Sequence, residues 1–177
     1  MPGRRRFVCP VATAAIGIPM ALLLAAAAPA EWDPLIVAAP VSAKILMPGV
    51  GNEQGLQVET ILAERAISAQ FPEIRNIGGV RPDSMKWHPQ GLAIDVGIPD
   101  YRSAAGKELG DRIAAFAFAN ADRFHLVHVI WQQTYYPIGG KPHRMADLGS
   151  DDANHYTHVH IATEGGGYPT GTETYLG

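Results

Sequence analysis

The chain has 177 residues, 47% of them hydrophobic, and a formal net charge of −3 at pH 7. That is enough apolar material for one globular domain with its own core, and it speaks against a multidomain reading. No basic stripe is visible, which argues against a nucleic-acid binder.

Arg4, Arg5 and Arg6 precede a nearly unbroken apolar run from Phe7 to Ala28, closed by Ala28-Pro29-Ala30. Residues 1–30 therefore read as an export signal, and the small residues suit cleavage after Ala30. Arg4-Arg5-Arg6-Phe7-Val8 loosely matches a twin-arginine signal, but three arginines also serve as the charged start of an ordinary secretory one. A retained anchor is the other reading, because residues 8–30 are long enough to cross a bilayer, though Pro10, Pro19 and Pro29 interrupt them. The expected location is secreted or in the cell envelope, with membrane contact only through an uncleaved signal.

Residues 1–30 hold three of the 14 basic residues and none of the 17 acids, so the exported part is mildly acidic. The one cysteine, Cys9, lies in the signal. The exported part then has neither a disulfide framework nor a thiolate metal site, and a bound metal would rest on His and carboxylate groups.

Residues 31–52, with Pro34, Pro40, Pro48, Gly49 and Gly51, read as an extended linker. The domain is expected over 53–163. Asn52-Glu53-Gln54 followed by Val58, Ile61, Leu62 and Ala66 fits a capped helix running to about Gln70, stopped by Phe71-Pro72. Ile74–Val80 is a short strand candidate, Arg81-Pro82-Asp83 a turn, and Leu92–Ile98 a strand ended by Pro99-Asp100.

Ser103 can cap a second helix whose Leu109, Ile113, Phe116 and Ala117 share one face, with Asn120 near its end. Leu126–Gln132 alternates as a strand would, and Tyr135–Ile138 can pair with it. Lys141–Asn154 reads as a loop, Tyr156–Thr163 as the last strand, and 164–177, with Gly165, Gly166 and Gly167 together, as a flexible tail. Mixed order without strict βαβ alternation predicts an α+β domain with a mainly antiparallel central sheet and flanking helices.

Two histidine motifs carry chemistry: His88-Pro-Gln-Gly-Leu-Ala-Ile-Asp95 and His155-Tyr-Thr-His158-Val-His160. Neutral imidazole and carboxylate are ligands Zn²⁺ takes in hydrolytic sites, with one position left open for water. His158 and His160 are two apart, so on a strand both point to one face, where one can ligate while the other serves the reaction. Gly91 can let the backbone double back and bring His88 towards Asp95. The competing reading is a pair of buried structural histidines with Asp95 capping a turn.

His88 to Asp95 with Gly91 and Ala93 between, Arg81 before it, and His158-Val-His160 later resemble the zinc fold shared by D-alanyl-D-alanine metallopeptidases, lysostaphin-type endopeptidases and the hedgehog signalling domain. Asn154-His155-Tyr156 and Val129-Ile130-Trp131 look closer still to a group of secreted actinobacterial proteins of that fold, many of them classed as hydrolases by resemblance alone. The resemblance covers roughly residues 55–163. It implies that His88, Asp95 and His160 are zinc ligands and that Arg81 faces an anionic part of the substrate. An arginine fork suits a carboxylate or an oxyanion.

In the D-alanyl-D-alanine branch a glutamate three residues before the last ligand is the base, and Thr157 stands there in this chain. A hydroxyl alone cannot do that work at neutral pH. The lysostaphin-type branch uses the first histidine of its His-x-His, here His158, and His155 is a further candidate.

The other histidines carry weaker signals. His125 and His128 are expected to pack or face solvent at a strand, and His143 to lie in a loop. Trp87, Trp131, Tyr135, Tyr136 and Tyr156 can line a cleft or belong to the core. Asp147, Asp151 and Asp152 form an acidic loop, read as solvated turn residues.

The function expected is a secreted zinc metallopeptidase-like hydrolase acting on peptidoglycan peptide amides. One rival is a zinc-stabilised, non-catalytic module that binds peptidoglycan or a protein. Another is an extracellular glycosidase, which would need two carboxylates ~5 to 9 Å apart.

Overall fold

The computed structural model describes residues 44–177, all within the compact unit Pro34–Gly177. The expected export signal and most of the expected linker lie outside the described residues. Among the described residues nine elements follow in order: α1 (Val58–Gln70), β1 (Ile77–Gly78), β2 (Ala93–Gly97), α2 (Ala104–Ala119), α3 (Ala121–Phe124), β3 (Leu126–Trp131), β4 (Thr134–Pro137), β5 (His143–Arg144) and β6 (His158–Thr163). Among the described residues no helix is long and apolar enough to cross a membrane.

The strands form one sheet in the order β1-β2-β6-β3-β4-β5, and every neighbouring pair is antiparallel. The fold is therefore α+β. Local signals explain several boundaries. The Ser103 side chain accepts from the Gly106 N–H at 2.9 Å and starts α2, satisfying one of the N–H groups that a helix start leaves unpaired. Gln132 and Gln133 both have positive φ, as a two-residue hairpin turn between β3 and β4 requires.

Helix α1 ends where expected but begins later, at Val58. Asn52 does not cap it, because its Oδ1 accepts from Gln54 N–H in a local turn instead. The start of α1 is satisfied from the other end of the chain: Val58 N–H donates to Gly167 O and Glu59 N–H to Gly165 O. Gly167 N–H in turn donates to Gln57 Oε1. Residues 164–177, read from sequence as a flexible tail, thus supply the acceptors a capping side chain would have provided. Farther on, Ile45 bridges Leu176, and Arg65 stacks on the buried Tyr175 ring at 4.3 Å.

Directly paired residues share a face of the sheet, and here the two faces differ sharply. Ile94, Val96, Val159, Ile161, Val129 and Trp131 belong to one buried cluster with Ile61 and Ile67 of α1 and Leu109 and Ile113 of α2. Trp131 fits because position 110 is glycine, where a Cβ would lie 2.1 Å from the indole. The indole N–H donates to Asp111 at 2.8 Å. Asp95 pairs with His160 and His160 with Ile130, while His158 pairs with Gly97 and His128 with Ala162. That second face carries the carboxylate and the imidazoles.

A candidate metal centre on the loop-side face

Strand β2 presents Asp95 and β6 presents His158 and His160, all on the face away from the helices. His88 arrives from a loop, and glycine at 91 makes that path possible. Gly91 has φ +68°, and a Cβ there would fall 2.0 Å from the Gly55 carbonyl oxygen, so both conformation and space require glycine. Gly91 N–H closes the turn on His88 O, and Gly91 O accepts from Gln57 N–H.

The side chains of His88, Asp95 and His160 converge, with one ligand atom from each within 4.8 Å of the others. His160 Nδ1 lies 2.9 Å from Asp95 Oδ1 and 3.2 Å from His88 Nε2, and His88 Nε2 lies 3.3 Å from Asp95 Oδ2. His88 Nδ1 donates to the Gly79 carbonyl at 2.9 Å. In the neutral ring this places the proton on Nδ1 and the lone pair on Nε2, towards Asp95 and His160, which is how a ligating histidine is commonly oriented.

Arg81 holds the carboxylate from the exposed side. One guanidinium nitrogen donates to Asp95 Oδ2 at 2.8 Å and another to Asp83 Oδ2 at 2.5 Å. Burial alone would raise the Asp95 carboxyl. The hydrogen bond from His160 Nδ1, with the neighbouring imidazoles of His88 and His158, outweighs it and holds the group far below the ordinary carboxylate range. An acid held so firmly ionised suits a metal ligand and does not suit the proton donor of a glycosidase, whose carboxyl must stay protonated.

His158 lies beside this group. Its Nε2 is 3.5 Å from Asp95 Oδ1 and is buried without a hydrogen-bond partner. Burial is the main cause that pushes its imidazole down from the ordinary value, against the pull of Asp95 and Asp152. The first ring nitrogen, Nδ1, meets Thr157 Oγ1 at 2.9 Å.

His155 packs its ring 4.8 Å from that of His158 and 5.6 Å from that of His160. Its Nδ1 donates to Ala153 O at 3.1 Å, and burial pushes it down to about 4. The structure therefore brings together all six site residues expected from the sequence, with His88, Asp95 and His160 as the converging three.

His128 is part of the same wall, which its sequence position did not announce. It is 1% exposed and stacks on His160 at 5.3 Å, with Tyr135 and the edge of Trp87 each at 4.7 Å. Burial pushes its imidazole down to about 3, so it is neutral at physiological pH. A register shift explains why alternation misses it. Leu126 pairs with Thr163 on the helix side, but the irregularity between Leu126 and His128 puts His128 opposite Ala162 on the other face.

His125 and His143 stay outside the cluster: His125 is 3.5 Å from Glu59, and His143 stacks on Tyr135. Of the acidic loop, Asp151 pairs with Arg102, Asp147 accepts from Asn154 and Gly149, and Asp152 accepts from Thr157. Among the described residues, no other group of three metal-ligating side chains converges.

A model of the VldE C-terminal domain family matches residues 52–156, more than half of the chain. The chain belongs to the VldE C-terminal domain family. The matched stretch of this VldE C-terminal domain holds Arg81, His88, Asp95 and His155 and stops just short of Thr157, His158 and His160. No curated protein and no solved structure matches the chain.

Proposed function

We propose that this domain is a zinc-dependent hydrolase of the metallopeptidase type, exported to the cell envelope and acting on amide bonds of peptidoglycan peptides. The observation that carries the reading is His158: a buried imidazole with an unpartnered Nε2 beside a two-histidine, one-carboxylate cluster. Without a hydrogen-bond partner in the protein, that nitrogen is free to take a proton. The fold we assign is that of the D-alanyl-D-alanine peptidases and the hedgehog domain, supported by the antiparallel sheet and by ligands placed on β2, β6 and the loop before β2.

The donor set fits the metal. Two imidazole nitrogens and one carboxylate oxygen, with no thiolate, are what hydrolytic zinc sites use. Zinc, when bound, supplies the Lewis acidity that brings the pKa of water towards ~7 and polarises a carbonyl.

The residues of the chain do the rest. Asp95 stays ionised between His160, His88 and Arg81. His158 receives a proton at Nε2 and can return it to the leaving amine. Arg81, 45% exposed at its side chain, has further N–H groups for a carboxylate of the peptide.

The test is digestion of muropeptides by the purified full chain, with zinc and with chelator. The expected result is release of new amine groups that stops with chelator and stops in His158→Ala while zinc stays bound. Zinc binding with no release in either protein would instead favour a zinc-stabilised module that binds without cleaving. No zinc would contradict both.

A further inference from the structure

We propose that Asp152 and Thr157 are positioning residues that fix the tautomer of His158 and so aim its Nε2 lone pair at the metal cluster. The consequence for catalysis rests on the hydrolase reading above; the tautomer itself does not.

The hydrogen-bond directions are forced by chemistry. Thr157 Oγ1 is 2.8 Å from Asp152 Oδ1 and 2.9 Å from His158 Nδ1. A hydroxyl has one proton to give, and an ionised carboxylate can only accept. Thr157 therefore donates to Asp152 and presents a lone pair to His158, so Nδ1 carries a proton and, in the neutral ring, Nε2 holds the lone pair. That Nε2 is the atom 3.5 Å from Asp95 Oδ1.

The backbone holds this chain of groups in place. Asn154, His155 and Tyr156 N–H donate back to Ser150, Asp152 and Asp151 carbonyls, and His155 takes a left-handed conformation at φ 55°. The turn brings Asp152 back against Thr157. On the other side, Thr157 O accepts from Ile98 N–H at the end of β2, tying Thr157 to the strand that carries Asp95. Asp152 itself is 83% exposed at its side chain, so the relay leads from solvent to the buried cluster. Its neighbour Asp151 is engaged elsewhere, by Arg102 and Tyr101.

Threonine where a carboxylate base would otherwise stand is thus not an empty position. It links a carboxylate five residues upstream to the imidazole next to the metal ligands, as an acid residue orients a catalytic histidine in a triad.

Long-range ¹H–¹⁵N correlation spectra of the full chain labelled at histidine nitrogen, recorded at about pH 8 where an ordinary imidazole is neutral, read the tautomer directly. The native His158 should carry its proton on Nδ1. Asp152→Ala frees the Thr157 proton to donate to Nδ1, so the proton should move to Nε2. Thr157→Val should leave a mixture and Thr157→Ser should restore the native pattern. Asp151→Ala, a control in the same turn, should leave the pattern unchanged.

An unaltered Nδ1–H signal in both Asp152→Ala and Thr157→Val would overturn the proposal, and so would an Nε2–H signal in the native protein. In the hydrolytic assay Thr157→Val should lower kcat about 10- to 100-fold with little change in KM, and Thr157→Ser should recover most of it. A tautomer shift in a protein that cleaves nothing would support the positioning role and count against the hydrolase reading alone.

Discussion

Along β6, Val159 and Ile161 enter the core while His158 and His160 face the loops. The same five or six residues of backbone therefore serve two different solvents: a packed hydrocarbon interior on the helix side, and a wall of imidazoles around a carboxylate on the other. Two acids show the contrast in direction. Glu64 of α1 is fully buried, and there burial raises its carboxyl above the ordinary value despite hydrogen bonds from Gly51 N–H and Ser68. Asp95 is raised by burial too, but its histidine partners reverse the sign.

A carboxylate in this fold stays ionised only where cationic or donor groups are built around it. On the helix side Glu64 has only the neutral donors Gly51 N–H and Ser68, which do not offset burial, whereas on the loop side imidazoles and the Arg81 guanidinium surround Asp95. The loop-side face accordingly carries the group that could hold a metal ion, and the helix-side face carries the hydrophobic core.

Breaking the core face should have the largest effect on stability. Trp131→Ala is expected to cost about 3–5 kcal/mol, measured by denaturant unfolding, while the protein that remains folded still binds metal. Equal loss of metal stoichiometry in the folded fraction would show that the two faces are not separable.

Arg81→Ala probes the loop side alone. It removes the donor that holds Asp95 Oδ2, and metal affinity should fall about 10- to 100-fold, as for loss of a group that orients a ligand. Unfolding of the metal-free protein should move little, since the Arg81 side chain is 45% exposed; a large shift there would place Arg81 in the scaffold.

The smallest effect expected is from Glu64→Gln. A carboxyl whose folded pKa is raised contributes stability below its ordinary unfolded value and loses it as pH rises through the folded pKa. The variant should therefore be more stable than the native protein at neutral pH, with the gain shrinking as pH falls towards that value. A gain independent of pH would mean that charge burial is not the cause.

How much of this could be read from the chain alone depends on whether the signal was local. Ser103 announces α2 because a cap acts within one turn. The two histidine motifs are legible because ligand chemistry narrows the residue types and strand alternation aligns His158 with His160, but the choice of His88, Asp95 and His160 among them came from the family resemblance. Asn52 misled, because its side chain satisfies Gln54 instead, and the acceptors at the start of α1 come from Gly165 and Gly167, far away in sequence.

His128 was hidden by a single register shift that turns it to the face opposite Leu126. The Asp152 contact with Thr157 depends on a turn whose closure no composition rule states. In each of these cases the missing information is which segments become neighbours, a property of the whole sheet and not of a window of residues.

On the reading proposed above, His88, Asp95 and His160 together hold one metal ion. Zinc titration of the purified full chain by metal analysis and calorimetry, beside Asp95→Ala and His160→Ala, addresses it most directly. The expected result is one zinc per native chain and loss of at least about 100-fold in affinity in each variant, since removing a ligand should cost at least as much as removing a group that only orients one. No zinc on the native chain, or the same affinity in both variants, would contradict it.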